Sequence, residues 1–228
     1  LRVPATIKGK VLENNLTGLV MNVDGEEAHF RMIGTFNAYN LLAVYGAAKL
    51  LGEDKMNVLA VLSGLHGAAG RFETYMSPRD KILGIVDYAH TPDALKNVLQ
   101  TIQAIRGGNE SVITVVGCGG DRDAGKRSLM GAVAERYADQ ILITSDNPRS
   151  EDPQAIMQMI RSGLKVDATN VQMIADRAAA IMAAVRHANS RDIVLVAGKG
   201  HETTQEINGK KFDFSDQEHI RLAAGGGI

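Results

Sequence analysis

Four short segments gather the residues whose types and spacing could do chemistry. They are Asp87-Tyr88-Ala89-His90-Thr91-Pro92-Asp93, Gly117-Cys118-Gly119-Gly120-Asp121-Arg122-Asp123, Ser145-Asp146-Asn147-Pro148-Arg149 and Gly198-Lys199-Gly200-His201-Glu202. Arg149 follows a turn set by Asn147-Pro148, and its guanidinium can grip a carboxylate with two parallel hydrogen bonds. Asp146 and Glu202 can accept from an ammonium. Arg122, Arg149, Asp146 and Glu202 together fit a ligand that carries both carboxylates and amines. Asp146 also suits an Asx turn or the cap of the next helix, and one side chain can serve both ends. Gly117, Gly119 and Gly120 let backbone approach a ligand closely. Asp121, Arg122, Asp123, Lys126 and Arg127 form a mixed-charge cluster. Such a cluster suits a zwitterion better than a bare phosphate; the bland alternative is a solvated loop whose charges pair with one another.

Other motifs are weaker. Gly120 to Lys126 fits G-x-x-x-x-G-K, the start of a phosphate-binding loop, but Arg127 stands where magnesium needs Ser or Thr. Asp121 and Asp123 would also aim carboxylates into a phosphate cradle, so that reading is rejected. His90 and His201 with Asp87 and Glu202 lack the spacing of a zinc site, so no metal is expected on side chains. Gly198-Lys199-Gly200 is half a dinucleotide fingerprint, with Thr203 where the third Gly belongs. Cys118 reads as a small buried residue. Asn37 reads as a helix N-cap, whereas Asn40 lies inside the first turn and either faces a ligand amide such as adenine or is simply exposed. Arg71 either reaches an anion or is an ordinary surface side chain.

These residues need a frame. Short apolar runs at 82–88, 112–116, 140–144 and 193–197 read as strands, with helices at 92–105, 124–137, 153–164 and 175–188. That alternation implies an α/β fold with a parallel sheet covered on both faces. In such a sheet, ligands bind at the carboxyl ends of the strands, where all four polar segments fall. Upstream, residues 1–33 read as strands turned by Asn14-Asn15 and Asp24-Gly25. Helices follow over 38–51, ended by Gly52, and 56–62, with Leu41, Leu42, Tyr45, Ala48 and Leu51 on one stripe of the first. The run Gly64 to Gly70 is the best domain boundary. Gln205–Phe214, centred on Asn208-Gly209, reads as a hairpin, and the Gly225–Gly227 tail as frayed.

Composition excludes several classes. The chain has 228 residues, 25 Lys+Arg against 26 Asp+Glu, one Cys, no Trp and 4% aromatic residues. A net charge of -1 and so few aromatics speak against nucleic-acid binding. One cysteine needs no oxidising compartment. No apolar run reaches the ~20 residues of a membrane span. Leu1-Arg2-Val3-Pro4 has neither a starting Met nor a signal-peptide pattern, which suggests a trimmed or excised chain.

Taken in order, the segments Gly34–Ala43, Gly70–Glu73, Asp87–Leu95, Gly117–Asp123, Asp146–Arg149 and Gly198–Glu202 resemble the ATP-dependent Mur ligases, their MurE type most closely. The resemblance implies a cytoplasmic enzyme of cell-wall synthesis that joins meso-diaminopimelate to UDP-N-acetylmuramoyl-L-alanyl-D-glutamate. It also implies that ATP, with Mg2+, phosphorylates the glutamate carboxylate, and that the incoming amine attacks the acyl phosphate and displaces phosphate. It implies that residues 1–66 are the last part of a central ATPase domain. Residues 67–228 would be the C-terminal Rossmann-like domain that brings the amino acid. By the same analogy, Arg122, Asp146, Asn147, Pro148, Arg149, Gly198 and Glu202 hold diaminopimelate, with Arg149 on its distal carboxylate. Asn40 meets adenine, Arg71 the phosphates and Asp87 the ribose, with His90 beside them. The family's G-T-N-G-K-T loop and its magnesium-holding residues are nowhere in the sequence, so the chain alone is expected to be inactive. The alternatives are a binding-only module and a related ligase for L-lysine, which lacks the distal carboxylate.

Overall fold

A computed structural model describes residues 6–225. The expectations for Leu1–Pro4 and for Gly226–Gly227 therefore lie outside the described residues. The chain divides into two compact units. One comprises residues 1–67 together with 104–106, and the other comprises the remainder.

In the first unit β1 (Gly9–Asn15), β2 (Gly18–Val23) and β3 (Glu26–Phe30) form an antiparallel meander. Two helices follow, α1 (Thr35–Leu50) and α2 (Lys55–Gly64). Leu19, Met21 and Phe30 of the sheet pack with Ala38, Leu41 and Tyr45 of α1 and Leu59 and Leu62 of α2. Two details differ from expectation. Asn37 is not the N-cap of α1: Gly34 is, and Asn37 lies inside the first turn, donating from Nδ2 to Ile33 O at 2.9 Å. Leu51 is 83% exposed, because it is the C-cap residue and has left the helical stripe; Gly52 then takes φ +90° and ends the helix.

The second unit is an α/β domain. In chain order it contains β4 (Glu73–Met76), β5 (Leu83–Asp87), α3 (Pro92–Ile105), β6 (Val112–Val116), α4 (Gly125–Tyr137), β7 (Gln140–Ile143), α5 (Pro153–Arg161), β8 (Val171–Met173), α6 (Arg177–His187), β9 (Ile193–Ala197), β10 (Thr204–Ile207), β11 (Lys210–Asp213) and α7 (Asp216–Ala223). Six strands form one sheet in the order β4-β5-β9-β6-β7-β8, and only the edge strand β4 runs antiparallel. Every residue of β5, β6 and β9 is buried, as a sheet covered on both faces requires. Val86, Ile113, Val115, Leu142, Val194 and Val196 point to one face, where Ala180, Ile181 and Ala184 of α6 and Ile220 of α7 cover them. Gly84 lets α7 come this close, since a Cβ there would lie 2.6 Å from Ile220 Cδ1. β10 and β11 form the separate hairpin, with Asn208 at φ +49° and Gly209 at φ +72°, the left-handed pair that a tight hairpin turn demands.

Three elements escape the sequence patterns. β4 and β8 have only four and three residues, too short to show a period. α7 was legible in principle. Ser215 stands three residues before Glu218, and its Oγ accepts from Glu218 N at 3.3 Å.

Candidate functional site

Strand register builds the rim. Asp87 and Val116 both pair with Ala197, and Val116 pairs with Ile143, so β5, β9, β6 and β7 end level. The four loops that follow these strands thus emerge abreast. The break in strand order, where β9 inserts between β5 and β6, marks the crevice where α/β sheets bind ligands.

The loop after β6 is stapled to the loop after β7. Gly120 N donates to Asn147 O at 2.8 Å, and Arg149 Nη1 donates to Gly120 O at 2.8 Å. A Cβ on Gly120 would sit 2.0 Å from Pro148 O, so only glycine allows this approach. Ser150 donates from N and Oγ to the Asp121 carboxylate, and Asp121 N donates to Glu151 Oε1. Beneath them Arg127, 1% exposed, forks onto both Glu151 oxygens at 2.8 Å and donates to Gly119 O at 3.2 Å. Arg127 and the Asp121 N–H hold the Glu151 carboxyl down at about 2. The stretch Gly120–Lys126 is thus no phosphate cradle. Glu151 takes Asp121 N, Asp123 takes Gly125 N, and the Lys126 ammonium donates to His90 O.

The hairpin clamps the loop after β7 from the other side. Arg149 N donates to Glu206 O, Asn208 N to Arg149 O, and Gln205 Nε2 to Asp146 O at 2.6 Å. Arg149 adopts φ +51° there, and its Nε lies 3.3 Å from Glu206 Oε2. Its guanidinium is aimed by two contacts and stays partly exposed.

At the centre is a residue that the sequence patterns gave no role. Lys199 is fully buried, and its Nζ lies 2.9 Å from Asn147 Oδ1, 3.2 Å from Glu202 Oε2 and 3.6 Å from Asp146 Oδ1. Asn147 Nδ2 in turn donates to Glu202 Oε2 at 2.9 Å, while its Oδ1 also accepts from Glu206 N. Asp146 and Glu202, read from the sequence as acceptors for a ligand ammonium, already face an internal ammonium, and a ligand amine would share them. Asn147 and Pro148 are buried in the loop's own packing, and the Pro148 carbonyl accepts from Glu151 N. Gly198, at φ +122°, brings the backbone against Asp146; a Cβ there would lie 2.7 Å from Oδ2. Arg122 is exposed at the rim. The Gly-Lys-Gly that ends an apolar strand was the one available signal for Lys199.

A second buried cation underlies this cluster. Arg177 is bound through Nε and Nη2 to Asp216 at 2.8 and 2.7 Å, and donates to Ala197 O at 3.1 Å. Burial opposes its charge, but Asp216 overcomes that and holds the guanidinium firmly protonated. Cys118 is inert: burial pushes its thiol up to about 12.

The nucleotide candidates fall in both units. Asn40, in α1, is exposed and donates to Asn37 Oδ1 at 3.1 Å. In the second unit, Arg71 and His90 are exposed and flank Tyr88. The Arg71 guanidinium lies 4.8 Å from the Tyr88 ring centre, and the His90 ring 4.6 Å from it. Asp87 is 8% exposed, and its Oδ2 accepts from Phe72 N at 2.7 Å; burial raises its pKa, and the Phe72 N–H counters. It is a backbone clamp before it is anything else. Among the described residues no group of three or more His, Cys, Asp or Glu is placed to hold a metal ion.

Geometry first defines a class: an α/β domain whose charged loops meet at the carboxyl edge of a parallel sheet, around an acid pair bridged by a buried lysine. Comparison with known proteins then fixes the family. The description "Mur ligase, glutamate ligase domain" matches residues 70–200, and the chain belongs to the Mur ligase family. It is 55% identical over 218 residues to a UDP-N-acetylmuramoyl-L-alanyl-D-glutamate--2,6-diaminopimelate ligase of Cytophaga hutchinsonii, covering 95% of this chain and 44% of that protein. It is 51% identical over 222 residues to the like-named ligase of Phocaeicola vulgatus, covering 97% and 46%. A solved structure of such a ligase superposes with a TM-score of 0.75 at 37% identity, covering 98% of this chain and 46% of the other. The chain spans less than half the length of these relatives.

Proposed function

We propose that the chain supplies the amino-acid site of a ligase that joins meso-diaminopimelate to UDP-N-acetylmuramoyl-L-alanyl-D-glutamate with ATP. One observation carries the reading. Arg149 is held by Gly120 O and Glu206 at the mouth of a loop whose neighbours are the Asp146–Lys199–Glu202 cluster and the exposed Arg122. A carboxylate gripped by Arg149 and an ammonium shared by Asp146 and Glu202 describe one end of diaminopimelate. Arg122 is the candidate for a second carboxylate. The relatives at 55% and 51% identity bear that amino acid in their names.

L-lysine has no distal carboxylate for Arg149 to grip and would forgo that pairing, which favours diaminopimelate. Within the second unit, ATP is proposed to meet the exposed Arg71 and His90, with Asp87 reached only at the ribose edge. Activation of the acceptor carboxylate as an acyl phosphate would be the chemistry ATP supplies. No described residue cluster is assigned to magnesium, and this chain is expected to form no amide bond alone.

Calorimetric titration tests the reading. Saturable binding of meso-diaminopimelate and none of L-lysine is expected. Arg149→Ala should weaken the former by about 100-fold, as loss of a desolvated charged partner does. Equal binding of both ligands would reject the specificity argument, and binding of neither would reject the site.

A further inference from the structure

We infer that Lys199 is a tethered counter-ion, a positioning residue that fixes the charge the site presents to its ligand. Three oxygens from three side chains surround its ammonium: Asn147 Oδ1 at 2.9 Å, Glu202 Oε2 at 3.2 Å and Asp146 Oδ1 at 3.6 Å. That is a cradle for a small cation, filled from within by a side chain with no exposed surface. The other buried cation nearby, Arg177, is bound through Nε and Nη2 to Asp216, and its charge reaches Asp146 and Glu202 only through space. Arg149 likewise lies against Glu206. Among the described residues, Lys199 is thus the cation in salt-bridge contact with Asp146 and Glu202.

The charge arithmetic follows. Two carboxylates and one ammonium leave a single net negative charge, which admits one ligand ammonium. Without Lys199 the pair would hold two uncancelled charges, one on the buried Asp146 and one on the partly exposed Glu202. It would then splay or recruit a cation from solution. The same ammonium also fixes Asn147 Oδ1, which accepts from Glu206 N and so ties the hairpin to the loop that carries Arg149. Removing it should disturb both halves of the ligand grip at once. The consequence for binding rests on the proposed diaminopimelate site; the counter-ion role itself does not.

Chemical rescue tests it. Lys199→Ala removes what n-propylammonium can replace, three carbons and a charged nitrogen. In the full chain, K199A should unfold at a lower temperature. n-Propylammonium chloride should restore the midpoint saturably, while 1-propanol and sodium chloride at equal concentration should not. Wild type should be indifferent to all three. Affinity for meso-diaminopimelate should fall about tenfold or more in K199A and return with n-propylammonium. Equal rescue by 1-propanol would show that Lys199 fills volume only, and absence of any rescue would also overturn the inference. Should K199A not fold, Lys199→Met keeps the stem, and adding Glu202→Gln should then recover stability by removing one of the two uncancelled charges. No recovery in K199M/E202Q overturns the inference. If wild type does not bind meso-diaminopimelate, the thermal arm still decides the counter-ion role, and the failure belongs to the proposed function.

Discussion

Arg127 and Glu151 show how a surface charge can report on a loop. Glu151 is ionised down to a pH of about 2 because Arg127 and the Asp121 N–H hold it. Its unfolded-state value lies near 4.3. A depressed carboxylate adds stability that is complete above the unfolded value and disappears as pH falls toward the folded one. Glu151→Gln should therefore destabilise the chain most near neutral pH, and the difference from wild type should close between about pH 4.5 and 2. Unfolding midpoints over that range check it; a constant difference would mean that the pair carries no proton linkage. Gly120 makes the complementary case for backbone. Its missing Cβ permits the 2.8 Å bond to Asn147 O, and Gly120→Ala should part the loops. The expected result is lost meso-diaminopimelate binding with the sheet retained, read by titration beside far-ultraviolet circular dichroism.

Helices and hairpin hold the site from outside it. α7 is capped by Ser215, and Asp216 of the same helix locks Arg177 under the β9 terminus. Ser215→Ala should cost about 1 kcal/mol, measured by urea unfolding, by loss of the cap. At this scale the sequence was uneven evidence. The four parallel strands of the rim and the hairpin showed plainly, because period, length and Asn-Gly chemistry are local signals. α7 lay hidden behind a capping box, Ser215 to Glu218, with no apolar period beside it. The rim loops were legible as a set, yet their internal wiring was not. Nothing in the spacing of Asp146, Asn147 and Glu202 says that Lys199 occupies the space between them, since that depends on two strands ending level. A buried lysine beside glycines looks the same in sequence as an exposed one.

On the scale of the molecule, the division after residue 67 gives each unit its own core. The sheet of the second unit is assembled wholly from its own strands, from Glu73 to Ala197. A piece comprising residues 68–228 is accordingly expected to unfold in one cooperative transition and to keep slow amide exchange in β5, β6 and β9; rapid exchange throughout would show that its core needs more of the chain.

The strand that completes the middle of that sheet is written last. β9 separates β5 from β6 in space but starts 110 residues after β5 and 81 after β6 in the chain. During synthesis the two halves of the sheet must wait side by side, each with an apolar, unpaired edge, until Ile193–Ala197 clears the ribosome. Folding of this unit thus waits until β9 has been made. A message cut short before Ala197 yields a product with two adhesive edges and none of the rim between them, a natural client for chaperones and proteases.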